Sequence, residues 1–304
     1  MNYKSLFKSR SLRLRILQLL SFVPDRLMIK VQYRLHNGRK LDINNPMRFT
    51  EKIQWYKLYY RNPDLWRCVD KYEVREYLSE KGYSNYLNSI YCLLDDIKNI
   101  NFNNLPDKFV VKATSGGGSN WVYVCKNNNA KAQAEIMKIF NGVGGQTNKM
   151  NPGREWAYKK MPPNRIIVEE YIEPEDGQDC LTDYKFYCFH GKPVYCQVIA
   201  DRTSKETIDF YDMDWKHMPF YGLNPECQQS AKKQLKPTNY DEMIRLAREL
   251  SSDFPFVRVD LYNTRGRIYF GELTFYPASG YGVFTPDSID YELGKLFILP
   301  PKSL

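Results

Sequence analysis

The sequence predicts an α+β fold. Short apolar strands fall in neighbouring pairs around tight turns, as antiparallel hairpins do, and the pairs are separated by stretches of helical period. No internal repeat appears. The 304 residues allow one large or two to three small domains, and a hydrophobic share of 43% supports a sizeable core.

The elements follow in order. Residues 1 to about 60 read as helical, with a loop at "NGRKLDINNP". Residues 65–82 form a helix ended by Gly82. "DDIKNINFNNLPD" is polar and loop-like. "KFVVKA" (108–113) and "WVYVC" (121–125) are strands around "TSGGGSN". Residues 130–140 are helical and "NGVGGQTNKMNPG" is a loop. "RIIVEEYIE" (165–173) is a strand running into an extended link. "TDYKFYCFHGKPVYCQVIADR" is a hairpin turning at His190-Gly191. Residues 239–252 form a helix capped by Asn239. A last hairpin, "FVRVDLYNTRGRIYFGELTFYPASG", spans 256–280.

Composition narrows the partners. The net charge of +9 favours polyanions. No zinc finger, aromatic RNA-binding signature or long Lys/Arg run supports nucleic acid. The seven cysteines form no C-x-x-C pair, which reads as a reduced, cytoplasmic protein. Three histidines argue against a His-built zinc site. In "SLRLRILQLLSFVPDR" the uninterrupted apolar run, Ile16 to Val23, is too short to cross a membrane. Leu12, Ile16, Leu19, Leu20 and Val23 share one helical face flanked by Arg13 and Arg15. That face either packs on the body of the protein or rests on a membrane surface.

Three constellations carry chemistry. In "KATSGGGSN" three glycines free the backbone to approach a ligand, and their N–H groups with Lys112 suit an anion. The alternative is a mobile loop. "IIVEEYIE" ends an apolar run in Glu169-Glu170, either solvated carboxylates or a hinge that reads an adenine edge. The last hairpin carries Arg258, Asp260, Glu272 and Thr274 between core-forming residues. A loop of Thr264, Arg265 and Gly266, with Gly266 in a left-handed bulge, would pair Asn263 with Arg267, Asp260 with Phe270 and Arg258 with Glu272. All four polar residues then share one face. An even loop would split the carboxylates between faces. Two close carboxylates repel unless a cation lies between them, and Mg²⁺ takes such oxygens together with phosphates. The alternative is an Arg258–Glu272 surface ion pair. A competing signal, Asp212 and Asp214 in "YDMDW", is either a solvated turn or a D-x-D metal and sugar-nucleotide site.

These pieces resemble the ATP-grasp superfamily, in family order. "VDKYEVREYLSEKGY" bears Lys71. "FVVKATSGGGS" bears Lys112 and a flap. The hinge follows at Glu169 to Ile172, then "VRVDLY…YFGELTFYPASG", similar to R-x-D…E-x-N-x-x-x-G. Thr274 stands where asparagine is usual. A closer resemblance is to the teichuronopeptide-biosynthesis, TupA-like branch, through "NNPMRFTEKIQWYKLYYRNP", "DYKFYCFHGKP", "ADRTS" and "MIRLARELSSDFPFVRVDLY".

The resemblance implies two α+β subdomains clamping ATP, a helical N-terminal extension (1–64), a segment before the clamp (65–107), a lid (108–173) and a C-terminal subdomain (174–304). It implies ATP and Mg²⁺ as cofactors. Lys71 and Lys112 would bind phosphates under Gly116, Gly117, Gly118 and Ser119. Glu169 with the Glu170 and Ile172 backbones would hold adenine. Asp183 and Lys185 would face ribose or phosphate. Asp260, Glu272 and Thr274 would hold Mg²⁺, Arg258 would stabilise the intermediate, and Arg202 would meet the acid substrate. The implied activity is an ATP-dependent carboxylate–amine ligase acting through an acyl phosphate, joining an amino acid or amine to a uronic-acid carboxylate in capsule, O-antigen or teichuronopeptide-type polysaccharide synthesis. A glycosyltransferase using Asp212 and Asp214, and a non-catalytic nucleotide-binding assembly protein, are the alternatives. The implied place is cytoplasmic, with a peripheral contact to the inner membrane face or assembly machinery left open.

Overall fold

The computed structural model describes residues 9–115, 121–145, 151–223, 227–231 and 233–302. The loop expected at 141–153 therefore lies partly outside the described residues, at 146–150. Two antiparallel sheets organise the chain. The smaller has the order β1-β4-β2-β3, built from β1 (Ile90–Leu94), β2 (Phe109–Ala113), β3 (Val122–Cys125) and β4 (Ile166–Glu170). The larger has the order β10-β9-β5-β6-β7, from β5 (Asp183–Phe189), β6 (Lys192–Ala200), β7 (Thr207–Tyr211), β9 (Phe256–Thr264) and β10 (Arg267–Thr274). A two-stranded pair, β8 (Tyr221–Gly222) and β11 (Phe284–Thr285), lies apart.

Each sheet has its own core. Helix Ala130–Phe140 packs Ala132, Ile136 and Phe140 against Phe109, Val111, Ile166 and Val168 of the smaller sheet. Helix Tyr240–Ser251 covers one face of the larger sheet, where Val257, Val259, Leu261, Phe186 and Cys188 are buried. The other face carries the alternate residues, polar and charged at Asp183, Lys185, Arg258 and Asp260 but aromatic at Tyr187, Phe189 and Phe256, which pack on Phe49. The helices in chain order are α1 (Arg10–Leu19), α2 (Asp25–Asn37), α3 (Phe49–Tyr59), α4 (Leu65–Val69), α5 (Glu73–Glu80), α6 (Ala130–Phe140), α7 (Trp156–Lys159), α8 (Tyr240–Ser251) and α9 (Ser288–Leu296).

Several expectations are corrected. The helix expected over 65–82 breaks at Asp70–Tyr72, because the buried Asp70 carboxylate accepts the N–H groups of Tyr72 (2.8 Å) and Glu73 (3.0 Å). A side chain that binds backbone in this way competes with the helix and starts a new one. The break leaves Lys71 between the two helices, with its side chain half-buried and directed toward Glu272. The end at Gly82 holds: Tyr83 N–H reaches Leu78 O and Gly82 N–H reaches Ser79 O, a paired closure typical of helix ends. Asn239 stands at the start of α8, but its side chain does not cap it and instead accepts from the Asn263 amide. The acidic Asp241 and Glu242 favour that helix end electrostatically. β1 and β7 were not read from the sequence, and β1 extends the smaller sheet back into the 65–107 segment. All seven cysteines are free thiols.

Candidate functional site

The last hairpin closes through two residues, Arg265 (φ 51°) and Gly266 (φ 73°), rather than the expected three. Left-handed backbone at both positions is the compact turn that matches strand twist. Thr264 pairs with Arg267, Tyr262 with Tyr269 and Leu261 with Phe270. An even loop of this kind should separate the two carboxylates. It does not, because the register slips between Phe270 and Glu272. Gly271 is the extra residue of a bulge. Beyond it Glu272 faces Asp260 and Thr274 faces Arg258. A Cβ at position 271 would lie 2.9 Å from the Asp260 carbonyl oxygen, so the strand needs glycine there. The expected face is correct; its cause and its pairing are corrected.

On that face the charges interlock. Arg258 donates through Nε to Asp260 Oδ1 (2.7 Å) and through Nη2 to Asp260 Oδ2 (2.6 Å), a two-pronged pair. The same Nη2 reaches Thr274 Oγ1 at 3.1 Å. Thr274 Oγ1 donates to Glu272 Oε1 at 3.3 Å. Lys185, opposite Asp260 on β5, donates to Asp260 Oδ2 and lies 3.1 Å from Asp183. Arg202 Nε sits 3.1 Å from Asp183 Oδ2, so Arg202 is held in an ion pair. The expected Arg258–Glu272 pair is loose, at 3.8 Å; Arg258 belongs to Asp260.

Burial works against the Arg258 charge, but Asp260 more than restores it and the guanidinium is held well above its ordinary range. Burial would raise the Glu272 carboxyl, yet Lys71, Lys185 and Arg258 hold it down to about 2. Glu272 is therefore ionised at any physiological pH. Lys71 Nζ lies 3.9 Å from Glu272 Oε2, while its backbone N–H bonds Thr114 O beyond β2. The break between α4 and α5 thus ties the smaller sheet to the larger one.

On the smaller sheet Lys112 and Glu169 form a close ion pair, Lys112 partly open to solvent and Glu169 nearly closed. Glu170 N–H is engaged with Ser89 O (2.9 Å), and the Glu170 carboxylate accepts Ser89 N–H (3.1 Å). Its carbonyl meets Asn88 Nδ2 at 3.4 Å, leaving acceptor capacity, and Ile172 lies beyond the strand end. Gly116, Gly117, Gly118 and Ser119 lie outside the described residues. A cleft of about 660 Å³ beside the hinge is lined by Tyr72, Glu73, Arg75 and Asn88. None of these belongs to the charged row.

Asp212 and Asp214 are not brought to this row by any contact among the described residues. Asp212 Oδ1 accepts the N–H groups of Asp214 (3.0 Å) and Lys216 (2.8 Å), which is a turn closed by its own side chain.

Sequence reasoning missed a second polar chain beside the row. The buried Lys57 donates to Ser279 O (2.6 Å) and Ser279 Oγ (2.8 Å), and Ser279 Oγ donates to Glu155 Oε1 (2.6 Å). Burial lowers Lys57 to about 8, against the pull of Glu155, and raises the Glu155 carboxyl. Ser279 and Ala278 hold left-handed backbone, φ 55° and 45°. The unusual "PASG" after a strand was the available signal.

Among the described residues no group of three or more His, Cys, Asp or Glu could hold a metal. The donor chemistry still fits Mg²⁺. Two carboxylates and a hydroxyl are hard oxygen donors, Glu272 makes only long contacts, and Mg²⁺ commonly takes one or two carboxylates with phosphates and waters completing its shell.

A charged row on one sheet, with a lysine-bearing second sheet tied to it, defines a two-sheet clamp. The family model for TupA-like ATP-grasp proteins matches residues 51–298, and the chain belongs to that family. No curated protein matches it. Among solved structures, the chain is similar to a D-alanine–D-alanine ligase from Bacillus anthracis (17% identity, 75% of this chain and 64% of that one, TM-score 0.44). It is similar to a D-alanine–D-alanine ligase from Helicobacter pylori (17% identity, 77% and 61%, TM-score 0.41). It also resembles the ATP-grasp ligase PsnB complexed with minimal precursor, Mg and ADP (12% identity, 74% and 57%, TM-score 0.38). The chain spans less than two thirds of the length of each.

Proposed function

We propose that the protein is an ATP-dependent carboxylate–amine ligase of surface-polysaccharide synthesis. The observation that carries this reading is the Arg258–Asp260–Glu272–Thr274 row, brought to one face by the bulge at Gly271 in a chain of the ATP-grasp family. In the proposed reaction a substrate carboxylate oxygen attacks the γ-phosphorus of ATP. The bond to the β-phosphate oxygen breaks, giving an acyl phosphate and ADP. An amine then attacks the acyl carbon, phosphate leaves, the amine loses a proton and an amide remains.

Each residue has a role in that reading. Lys71, Lys112 and Lys185 bind phosphate oxygens, with Gly116, Gly117, Gly118 and Ser119 closing over them. Glu169, the Glu170 carbonyl and the Ile172 backbone hold adenine, and Asp183 orients Lys185. Asp260 and Glu272, with Thr274, hold Mg²⁺, which when bound neutralises phosphate charge. Arg258 faces the transferring phosphoryl group and lowers the barrier by stabilising developing charge. Arg202 turns from Asp183 toward the acid substrate. The acid is a uronic-acid carboxylate and the amine an amino acid or simple amine; the net charge of +9 suits an acidic saccharide.

The test is ADP and phosphate release from ATP and Mg²⁺ with a panel of uronic acids and amines. Release is expected only when an acid and an amine are both present. Nucleotide binding with no release on any pair would favour the non-catalytic assembly protein. Binding of a sugar nucleotide that survives Lys112→Ala and Glu272→Gln would favour the glycosyltransferase.

A further inference from the structure

The N-terminal helices leave an organised surface uncovered. On α2 the buried residues Met28, Ile29, Gln32 and Tyr33 face the body. On the opposite side Leu27 (55% exposed), Val31 (47%) and Leu35 (46%) recur every four residues and form one apolar band. Arg26, Lys30 and Arg34, also four apart and exposed, form a basic band directly beside it. None of these three has a carboxylate partner among the described residues. The elbow between α1 and α2 exposes two more large apolar residues, Leu19 (75%) and Phe22 (82%).

The elbow is fixed in that orientation. Buried Arg154 donates to the carbonyls of Leu20 (2.7 Å), Val23 (2.8 Å) and Ser21 (3.3 Å) and to Asp25 (3.0 Å). The elbow's carbonyls are thus turned inward and its large apolar side chains outward. Asp25 is the sole acidic residue between Ser9 and Gly38, against six basic ones, and it is engaged by Arg154 and Lys159. The segment precedes the family match, which begins at residue 51. Of the face that either packs on the body or rests on a membrane, Leu12 (46%) and Leu19 are exposed, while Ile16, Leu20 and Val23 are half-buried.

We infer that the elbow and outer face of α1 and α2 form a peripheral docking surface for an anionic lipid bilayer. A bilayer is the occupant that matches both bands. The apolar band enters the acyl boundary while the basic band meets anionic headgroups, and such binding depends on both terms. No helix among the described residues is long and apolar enough to cross the membrane, so the contact is on its surface. This inference does not depend on the ligase reading.

The test uses the full chain and flotation with vesicles of phosphatidylcholine alone or with about one third phosphatidylglycerol. Binding is expected to be at least about tenfold stronger to the anionic vesicles and to fall with salt. Arg26→Glu/Lys30→Glu/Arg34→Glu and, separately, Leu27→Gln/Val31→Gln/Leu35→Gln are each expected to lower it at least about tenfold. Nucleotide affinity should stay unchanged in both. Hydrogen exchange of the wild-type protein should slow across residues 19–35 when anionic vesicles are added. Equal binding to both vesicles, unchanged binding of the variants, or no added protection would each overturn the proposal. So would a dimer, by light scattering, that the Leu27/Val31/Leu35 variant converts to monomer.

Discussion

The two sheets hold their charges in opposite ways. On the larger sheet Asp183, Lys185, Arg258 and Asp260 are nearly closed to solvent and linked in a continuous row, each charge facing an opposite one. On the smaller sheet Lys112 and Glu169 pair only with each other among the described residues, with Lys112 partly open. Buried ions need their partners to remain charged, whereas a partly open pair contributes little to stability. The larger sheet therefore couples the site to the fold. The smaller sheet carries site residues it can lose without unfolding.

Breaking the row should have the largest effect. Arg258→Ala leaves the Asp260 carboxylate buried beside one remaining cation. We expect a loss of about 3 kcal/mol or more in denaturant unfolding. Gly271→Val tests the bulge: its side chain meets the Asp260 carbonyl, and overpacking of this kind costs about 1–3 kcal/mol. Nucleotide binding should fall with it, since Glu272 and Asp260 would no longer face each other.

Asp290 sharpens the comparison because it is buried with no ion pair among the described residues. It accepts Thr50 N–H (2.9 Å) and the Thr50 hydroxyl (2.7 Å), which ties α9 to the start of α3. Burial raises it to about 6, opposite in direction to Glu272. A carboxyl whose folded pKa is raised stabilises fully below its unfolded value, near 3.8, and loses that stabilisation as pH rises through about 6. Thermal melts between pH 4 and 7 should show this decline, and Asp290→Asn should flatten it.

The smallest stability effect is expected at the double change Lys112→Ala/Glu169→Gln, which removes both charges of the pair and leaves neither buried alone, within about 1 kcal/mol. Nucleotide affinity measured by calorimetry should nevertheless drop at least about tenfold, or 1.4 kcal/mol. A loss of stability comparable to that of Arg258→Ala would erase the distinction between the sheets.

Much of this was legible in the sequence, and the misses have physical causes. Strand pairs around His190-Gly191 and the strands flanking the glycine loop follow from apolar runs and turn residues. The helix over 130–140 was read to its ends. β1 was missed because "IYCLL" adjoins a polar segment and forms a sheet edge, where its apolar run gives a weak signal. The helix break at Asp70 depends on one side chain choosing backbone N–H groups. The loop length was misread because three turn-forming residues adjoin, and spacing alone does not say which two hold the corner. The bulge, however, had a visible signature. Apolar residues fall at 268 and 270, then at 273 and 275, so the alternation changes phase with a glycine at the slip. The Lys57–Ser279–Glu155 chain joins three distant segments and no local pattern announces it.

That phase slip has a consequence for how the chain finds its fold. Paired straight through, without the extra residue, β10 would send Glu272 and Thr274 into the apolar layer under α8 and turn Leu273 and Phe275 outward. A carboxylate would then sit in the core with no cation, among the costliest errors a sheet can make. The residues that make the site thus penalise the wrong register, and the hairpin that holds them proofreads its own pairing.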